Sequence, residues 1–372
     1  MSDPDPVTDS TTRQWMPTEH AGASADADHH VTGIVVAVAH GFFEVAPLRT
    51  AMAQTWLCTA RGRLRKPRPV TTPRKPVQFG KGRYAQGTAP EPEQTGAGRT
   101  PDRIAPGDIV RMQPLSETEG VIEAVLPRQR ALERARSESG ESHVMLANPD
   151  HAALVFATCE PVPHFGMLDR YLALCERAGV DITICLNKVD LGIPPDVASA
   201  LDLYRSLGYQ VILTSAATGT GVVELALRLR GRTSLLTGPS GVGKSSLIND
   251  LLPEARQRTA TISDSTGKGR HTTTGVRLLP LPEGGWLADS AGIRELALWK
   301  VPEDELVTAF VELRPFANEC EYEGCEHGEQ DEGCALQAAR NRGAINPQRW
   351  QSFERLLAES RESLAPGRIL SR

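Results

Sequence analysis

Apolar positions fall into three distinct rhythms along the chain. From Val31 the text runs in short β-rich bursts separated by turns, GIVVAVAHGFFEVAP, TWLCTARGRL, GDIVRMQP and GVIEAVLPR, a pattern of four or five strands. These predict a small all-β barrel over residues 31–138. An OB-fold is the first choice because its sheet face and loops hold nucleic acid, although an SH3-like barrel would read almost the same. From His151 the text alternates: AALVFATC as a strand, MLDRYLALCERAG as a helix with Leu168, Tyr171, Leu172 and Cys175 on one face, then DITICLN, DVASALDLYRSLG, QVILTS, GVVELALRLR and TSLLTG in turn. Alternation of this kind predicts a parallel sheet covered on both faces, the α/β architecture of a P-loop NTPase, over residues 145–300. Beyond residue 300 the pattern turns helical, in PEDELVTAFVELRPF and INPQRWQSFERLLAESRESL, with Asn346 and Pro347 reading as cap and first turn. A third, α-helical domain over 301–372 is expected.

Two stretches follow none of these rhythms. Residues 1–30 are rich in Asp, Ala, Ser and Pro and predict a disordered tail. Residues 64–103 are too long and too polar for a hairpin loop and predict a mobile insertion.

Charge sharpens this division. The net charge of the 372-residue chain is -5, and the tail accounts for all of it: Asp3, Asp5, Asp9, Glu19, Asp26 and Asp28 stand against Arg13 alone. Residues 61–83 carry nine Lys or Arg and no acid, a composition suited to neutralising nucleic-acid phosphates. No apolar run approaches a membrane span and the N-terminus has no targeting pattern, so a cytoplasmic protein without membrane contact is expected. Monomer is the expected state, since no self-complementary apolar surface is legible.

The central region carries the chemistry. GPSGVGKS, Gly238 to Ser245, fits the phosphate-cradling pattern and lies between an apolar strand and a helical run. Gly238, Pro239, Ser240, Gly241, Val242, Gly243, Lys244, Ser245 and Ser246 would surround the phosphates, all but Pro239 offering a backbone N–H. Lys244 would reach the outer ones, and Ser245 would offer a hydroxyl to Mg²⁺. The loop alone would also suit a nucleotide kinase of the guanylate-kinase kind. Asn187, Lys188 and Asp190 name the base, because a carboxylate at Asp190 can accept from both N1–H and the 2-amino group of guanine. Adenine offers no such pair. In TSA, 214–216, Ser215 and Ala216 close the base loop, the Ala216 N–H meeting O6. In DSAG, Asp289 to Gly292, the carboxylate would hold Mg²⁺ through water and the Gly292 N–H would touch the γ-phosphate. Between them GRHTTTG supplies one of Thr272, Thr273 and Thr274 as a second Mg²⁺ hydroxyl, Thr273 being preferred. Ile293 stands where many GTPases place a water-orienting Gln, so intrinsic hydrolysis should be slow, and His271 is the catalytic candidate that remains.

The motif order NKVD, TSA, GPSGVGKS, DSAG is what a GTPase chain gives when closed end to end and cut after DSAG. The cut joins the segment after Asp289 directly to the C-terminal domain, where C-x4-C-x-H-x6-C sets out Cys320, Cys325, His327 and Cys334. Three thiolates and an imidazole form the ligand set of a closed, structural tetrahedral Zn²⁺ site.

Together these residues resemble the RsgA (YjeQ) family of circularly permuted GTPases, over about residues 31–360: RIAPGDIV and GVIEAVLPR, LNKVDL, GPSGVGKSSLIN, GRHTTT, DSAGIRE and the Cys/His segment. The resemblance implies an OB-fold that contacts ribosomal RNA and GTP hydrolysis to GDP stimulated by the small (30S) ribosomal subunit in its late maturation. It also implies a functional His271 and a zinc-containing helical domain that touches the subunit. The chain departs from the family pattern at Ala291, usually Pro, in one extra residue between His327 and Cys334, in the acidic tail and in the 64–103 insertion.

Overall fold

The computed structural model describes residues 30–48, 55–62, 104–135, 142–253, 276–289, 301–322, 324–328 and 331–364. Strands β1 (Val31–Ala39), β2 (Phe42–Pro47), β3 (Trp56–Ala60), β4 (Ile109–Pro114) and β5 (Glu119–Val125) close a barrel in the order β1-β2-β3-β5-β4. The run read as one burst from Gly33 to Pro47 is two strands, because His40 and Gly41 both take positive φ, 50° and 83°, and turn the chain back in two residues. β3 runs parallel to β5 while the other pairs are antiparallel, the OB-fold arrangement rather than the SH3-like one. Alternate residues Val35, Val45, Cys58, Val110, Met112 and Ile122 fill the interior.

A hairpin of β6 (Ala131–Ala135) and β7 (Ser142–Ala147) follows, which the polar text there does not announce. It ties to the barrel through backbone and side chain: Ala147 N–H donates to Pro106 O at 2.8 Å and Asn148 Nδ2 to Gly107 O at 3.1 Å.

The central sheet has the order β10-β9-β8-β11-β13-β12, from β8 (His151–Ala157), β9 (Asp181–Asn187), β10 (Gln210–Leu213), β11 (Thr233–Thr237), β12 (Arg277–Pro280) and β13 (Trp286–Asp289). All pairs are parallel except β12 with β13. Every residue of β8 is buried, as a central parallel strand requires. Its two faces serve two cores. Ala152, Leu154 and Phe156 pack toward α1 (Phe165–Arg177) and α2 (Pro195–Ser206). Ala153, Val155 and Ala157 pack toward Leu225 and Leu229 of α3 (Val222–Leu229) and Leu247 and Leu251 of α4 (Lys244–Leu251).

The C-terminal part is α5 (Glu303–Ala309), a short 3-10 turn (Arg314–Phe316), α6 (Ala335–Asn341) and α7 (Pro347–Leu364). The helix expected over 302–316 stops at Ala309. Phe310 is extended and ends the helix, and the chain becomes helical again only at Arg314–Phe316, with Pro315 in the first positions of that turn. α6 is a helix the sequence reading did not contain. These helices share one apolar core with α1, where Phe310, Phe353 and Leu356 meet Leu168, Tyr171 and Leu172. Across that junction Arg349, 2% exposed, pairs with Asp169 at 2.6 Å and Glu312 at 2.6 Å. Among the described residues no helix is long and apolar enough to cross a membrane.

His151 gives this fold a pH dependence. It is buried at the foot of β8, Nε2 lying 2.9 Å from Thr183 Oγ1. Burial first, then the charges of Arg232 and Arg228, lower its pKa from 6.5 to about 4. The unfolded chain therefore takes up the proton first, and stability is lost as pH falls from about 6.5 to 4, by about 3 kcal/mol in full. Unfolding free energies measured across that window should fall for the wild type and lack this component in His151→Gln. Equal slopes in both would remove the assignment.

Candidate functional site

The phosphate loop is built by close approach. A Cβ on Gly238, φ 150°, would stand 2.0 Å from Val155 O in β8, so only glycine lets the loop leave β11 here. Gly241 and Gly243 also take positive φ, 82° and 94°, and Gly243 is the N-cap of α4. Pro239, Ser240 and Val242 lie between them, Val242 buried and Ser240 exposed. Lys244 folds back so that Nζ donates to Gly238 O at 2.8 Å and Pro239 O at 2.6 Å, which places its charge at the mouth of the loop. Ser245 and Ser246 are exposed in the first turn of α4, where helix N–H groups and dipole favour an anion.

The base-reading loop stands beside it. Asn187, 1% exposed at the end of β9, donates from Nδ2 to Val242 O at 2.8 Å and accepts from Thr214 Oγ1 at 3.2 Å. One side chain thus ties the end of β9, the phosphate loop and the end of β10 together. Lys188 follows in the left-handed region, φ 64°. Asp190 is exposed and its Oδ1 accepts from Ser215 Oγ at 2.5 Å, which aims the carboxylate. Sequence reasoning placed Ser215 in the loop without giving it that task. Ala216 is half-buried beside it. The sequence reading passed over the loop from Thr158 to His164, which reaches both others: Lys188 Nζ donates to Glu160 O, and Pro161 Cδ lies 3.6 Å from where a Cβ on Gly241 would stand. Its only sequence signal is position, directly after a central strand.

Asp289 ends β13, next to β11. His271, Thr272, Thr273, Thr274, Ala291, Gly292 and Ile293 lie outside the described residues, as do the 64–103 insertion and the tail to residue 29.

A second cluster lies in the C-terminal part. The ligand atoms of Cys320, Cys325, His327 and Cys334 all lie within 4.8 Å of one another. His327 Nδ1 is 3.6 Å from both Cys320 Sγ and Cys334 Sγ, close to the sulfur–nitrogen edge of about 3.6 Å that zinc bond lengths set in a tetrahedron. Gln337 Nε2 holds His327 O at 2.9 Å, keeping the residue in its left-handed turn. Burial lowers the His327 pKa, favouring the neutral imidazole that a metal binds. The cluster is compatible with zinc.

A parallel α/β domain in which a guanine-type loop precedes the phosphate loop in the chain, yet hydrogen-bonds to it in space, is a circularly permuted P-loop GTPase. The chain belongs to the RsgA GTPase family, whose family model matches residues 125–299. The small ribosomal subunit biogenesis GTPase RsgA of Marinobacter nauticus is 42% identical over 272 residues, 72% of this chain and 76% of that protein. Its namesake from Vibrio cholerae is 38% identical over 273 residues, 71% and 70% of the two chains. Among solved structures, YjeQ from Thermotoga maritima superposes with TM-score 0.64 at 27% identity, covering 89% of this chain and 98% of that one. YloQ, a circularly permuted GTPase, has the same fold with TM-score 0.62 at 23% identity, over 93% and 100%. The guanylate-kinase alternative, which left LNKVD without a task, is set aside, and the chain is a GTP hydrolase.

Gly243→Ala tests the junction of the two loops. The added Cβ would stand 2.4 Å from Asn187 Nδ2, displacing it from Val242 O. Affinity for GDP, measured by fluorescence titration, should fall at least about tenfold with circular dichroism unchanged. Unaltered affinity would show that the Asn187–Val242 contact does not shape the site.

Proposed function

We propose that this chain acts in the cytoplasm, as a monomer, in the late maturation of the small (30S) ribosomal subunit, and that contact with the subunit and its rRNA stimulates its GTP hydrolysis. The observation that carries the nucleotide part is the Asn187–Val242 hydrogen bond at 2.8 Å, because it sets a guanine reader beside a phosphate cradle. The partner rests on family membership and on the relatives, which are small ribosomal subunit biogenesis GTPases. The proposed parts are an acidic tail over 1–30, an RNA-binding OB barrel over 31–138 with its basic insertion 64–103, the GTPase domain over 145–300 and a helical domain over 301–372.

In this reading Asp190 accepts from guanine N1–H and the 2-amino group, the Lys188 stem lies along the ring face, and the Ala216 N–H meets O6. Lys244 leaves the carbonyls of Gly238 and Pro239 for the β- and γ-phosphates. That exchange is favourable because a charged acceptor outbids two neutral ones. The Mg²⁺ that accompanies GTP would supply neutralisation of phosphate charge. Ser245, Thr273 and Asp289 are the residues assigned to it. Gly292 touches the γ-phosphate, and on the subunit His271 orients the attacking water, the task that Ile293 cannot perform where a Gln would. Cys320, Cys325, His327 and Cys334 would hold one structural Zn²⁺, which would cross-link the chain between α5 and α6.

Purified 30S subunits should raise GTP turnover by roughly 10²-fold, the scale of a positioned water-orienting group, and Lys244→Ala should abolish it. Tight GDP binding without stimulation would keep the GTPase and remove the partner.

Atomic absorption on the purified chain should find one zinc per molecule, absent in Cys325→Ser together with a lower melting temperature. A wild-type chain that takes up no zinc after reduction overturns the metal assignment.

A further inference from the structure

The base of the guanine-reading loop is held by a residue that belongs to none of its motifs. Thr158 follows the last residue of β8 and is 0% exposed. Its backbone N–H donates to Asn187 O at 3.0 Å, extending the β8–β9 ladder by one rung. Its Oγ1 donates to Lys188 O at 3.0 Å. The other acceptor within reach is Cys159 Sγ at 3.5 Å, a weak acceptor, so the single hydroxyl proton belongs to the carbonyl.

Lys188 needs such a hold. Its φ of 64° and ψ of 33° put an ordinary side chain in the left-handed region, a conformation that persists only where its surroundings fix it. Lys188 O also accepts from Leu191 N–H at 3.0 Å, closing the 3-10 turn that carries Asp190. One carbonyl oxygen therefore receives both the closure of the Asp190 turn and the hydroxyl of Thr158. From the other end of the same residue, Lys188 Nζ reaches Glu160 O, two residues beyond Thr158. The short loop after β8 grips Lys188 by backbone and side chain together.

We propose that Thr158 is a positioning residue for guanine selectivity: its hydroxyl fixes the Lys188 carbonyl and so sets the orientation in which Asp190 meets the base. The proposal rests on the assignment of Asp190 as the guanine reader. A loosened turn still leaves Asp190 near N1–H but lets the bond to the 2-amino group wander, so loss of the hydroxyl reduces discrimination as well as affinity.

Thr158→Val keeps the shape and removes only the hydroxyl. The test compares dissociation constants for GDP and for inosine diphosphate, which retains N1–H and lacks the 2-amino group, in the full chain. In Thr158→Val, GDP affinity should fall about tenfold and the GDP-over-IDP preference at least about threefold, while Thr158→Ser restores both. A merely structural role would weaken both nucleotides equally and leave the preference unchanged, which overturns the proposal, as does a Ser variant that behaves like Val. If Thr158→Val does not fold, Thr158→Ala at lower temperature reads the same ratio under the same criteria. A wild-type chain that binds neither nucleotide overturns the Asp190 assignment, and the proposal with it. A wild type that prefers GDP and a Val variant with the same preference overturn only the role of Thr158.

Discussion

The nucleotide site depends on one hydrogen bond, from Asn187 Nδ2 to Val242 O across 55 positions of chain. Its geometry follows from the sheet. β9 and β11 lie on either side of β8, so their carboxyl-terminal loops stand two strand spacings apart, about 10 Å, a gap that a buried Asn and one turn of the phosphate loop span. Asn187 is fully engaged: Thr214 donates to its Oδ1, and Thr158 N–H to its carbonyl. Loss of the side chain strands Val242 O in a buried setting and frees two loops at once, and the amide stands so close to Gly243, 2.4 Å from where a Cβ would be, that a methyl there has no room.

A second buried polar group fixes the C-terminal helices. Arg349 meets Asp169 and Glu312 while its guanidinium lies 4.5 Å from the Phe310 ring centroid. Burial opposes its charge, but hydrogen bonds to Glu312 and the field of Asp169 outweigh that and raise its pKa. Tyr204 adds a hydroxyl to Asp169 at 2.7 Å. Desolvation consumes much of the Coulomb gain in such a cluster, so apolar contact of Phe310, Phe353 and Leu356 with α1 supplies the larger part of the cohesion. The charges contribute register: only one placement of α7 on α1 satisfies Asp169, and the Arg170–Glu359 pair at 2.5 Å and the Arg355 bond to Gly166 O at 3.0 Å agree with it.

What the sequence made legible is what depends on near neighbours. β8 reads as a strand because AALVFA is an unbroken apolar run, and α1 because Leu168, Tyr171, Leu172 and Cys175 share a face. The phosphate loop, LNKVD and the Cys/His set are short-range patterns of the same sort. The β6–β7 hairpin was hidden because its polar text buries little beyond Leu132 and Leu146. β12 was hidden because a four-residue strand is too short for a period and is an antiparallel edge. α6 begins at Cys334, whose sulfur accepts from Gln337 N–H at 3.5 Å, a cap that reads in sequence as a metal ligand. The hold of Thr158 on Lys188 joins positions 30 apart and leaves no local trace.

Permutation changes none of the pairings in the sheet, since a strand is indifferent to where its chain is cut. What it changes is the neighbour of α1. With β8 opening the domain, α1 comes directly after the loop that touches Lys188 and approaches Gly241, and the chain leaving β13 leads into the helices that cover it. Arg177 of α1 meets Glu305 of α5 at 2.6 Å, and Asp169 meets Arg349 of α7. Nucleotide loops, the 158–164 loop, α1 and the C-terminal helices therefore form an unbroken series of contacts. A shift of α1 cannot leave α7 in place without opening the buried Arg349–Asp169 pair. The buried charge that sets the register of the C-terminal helices is thus also what would make them follow the GTPase domain as a body.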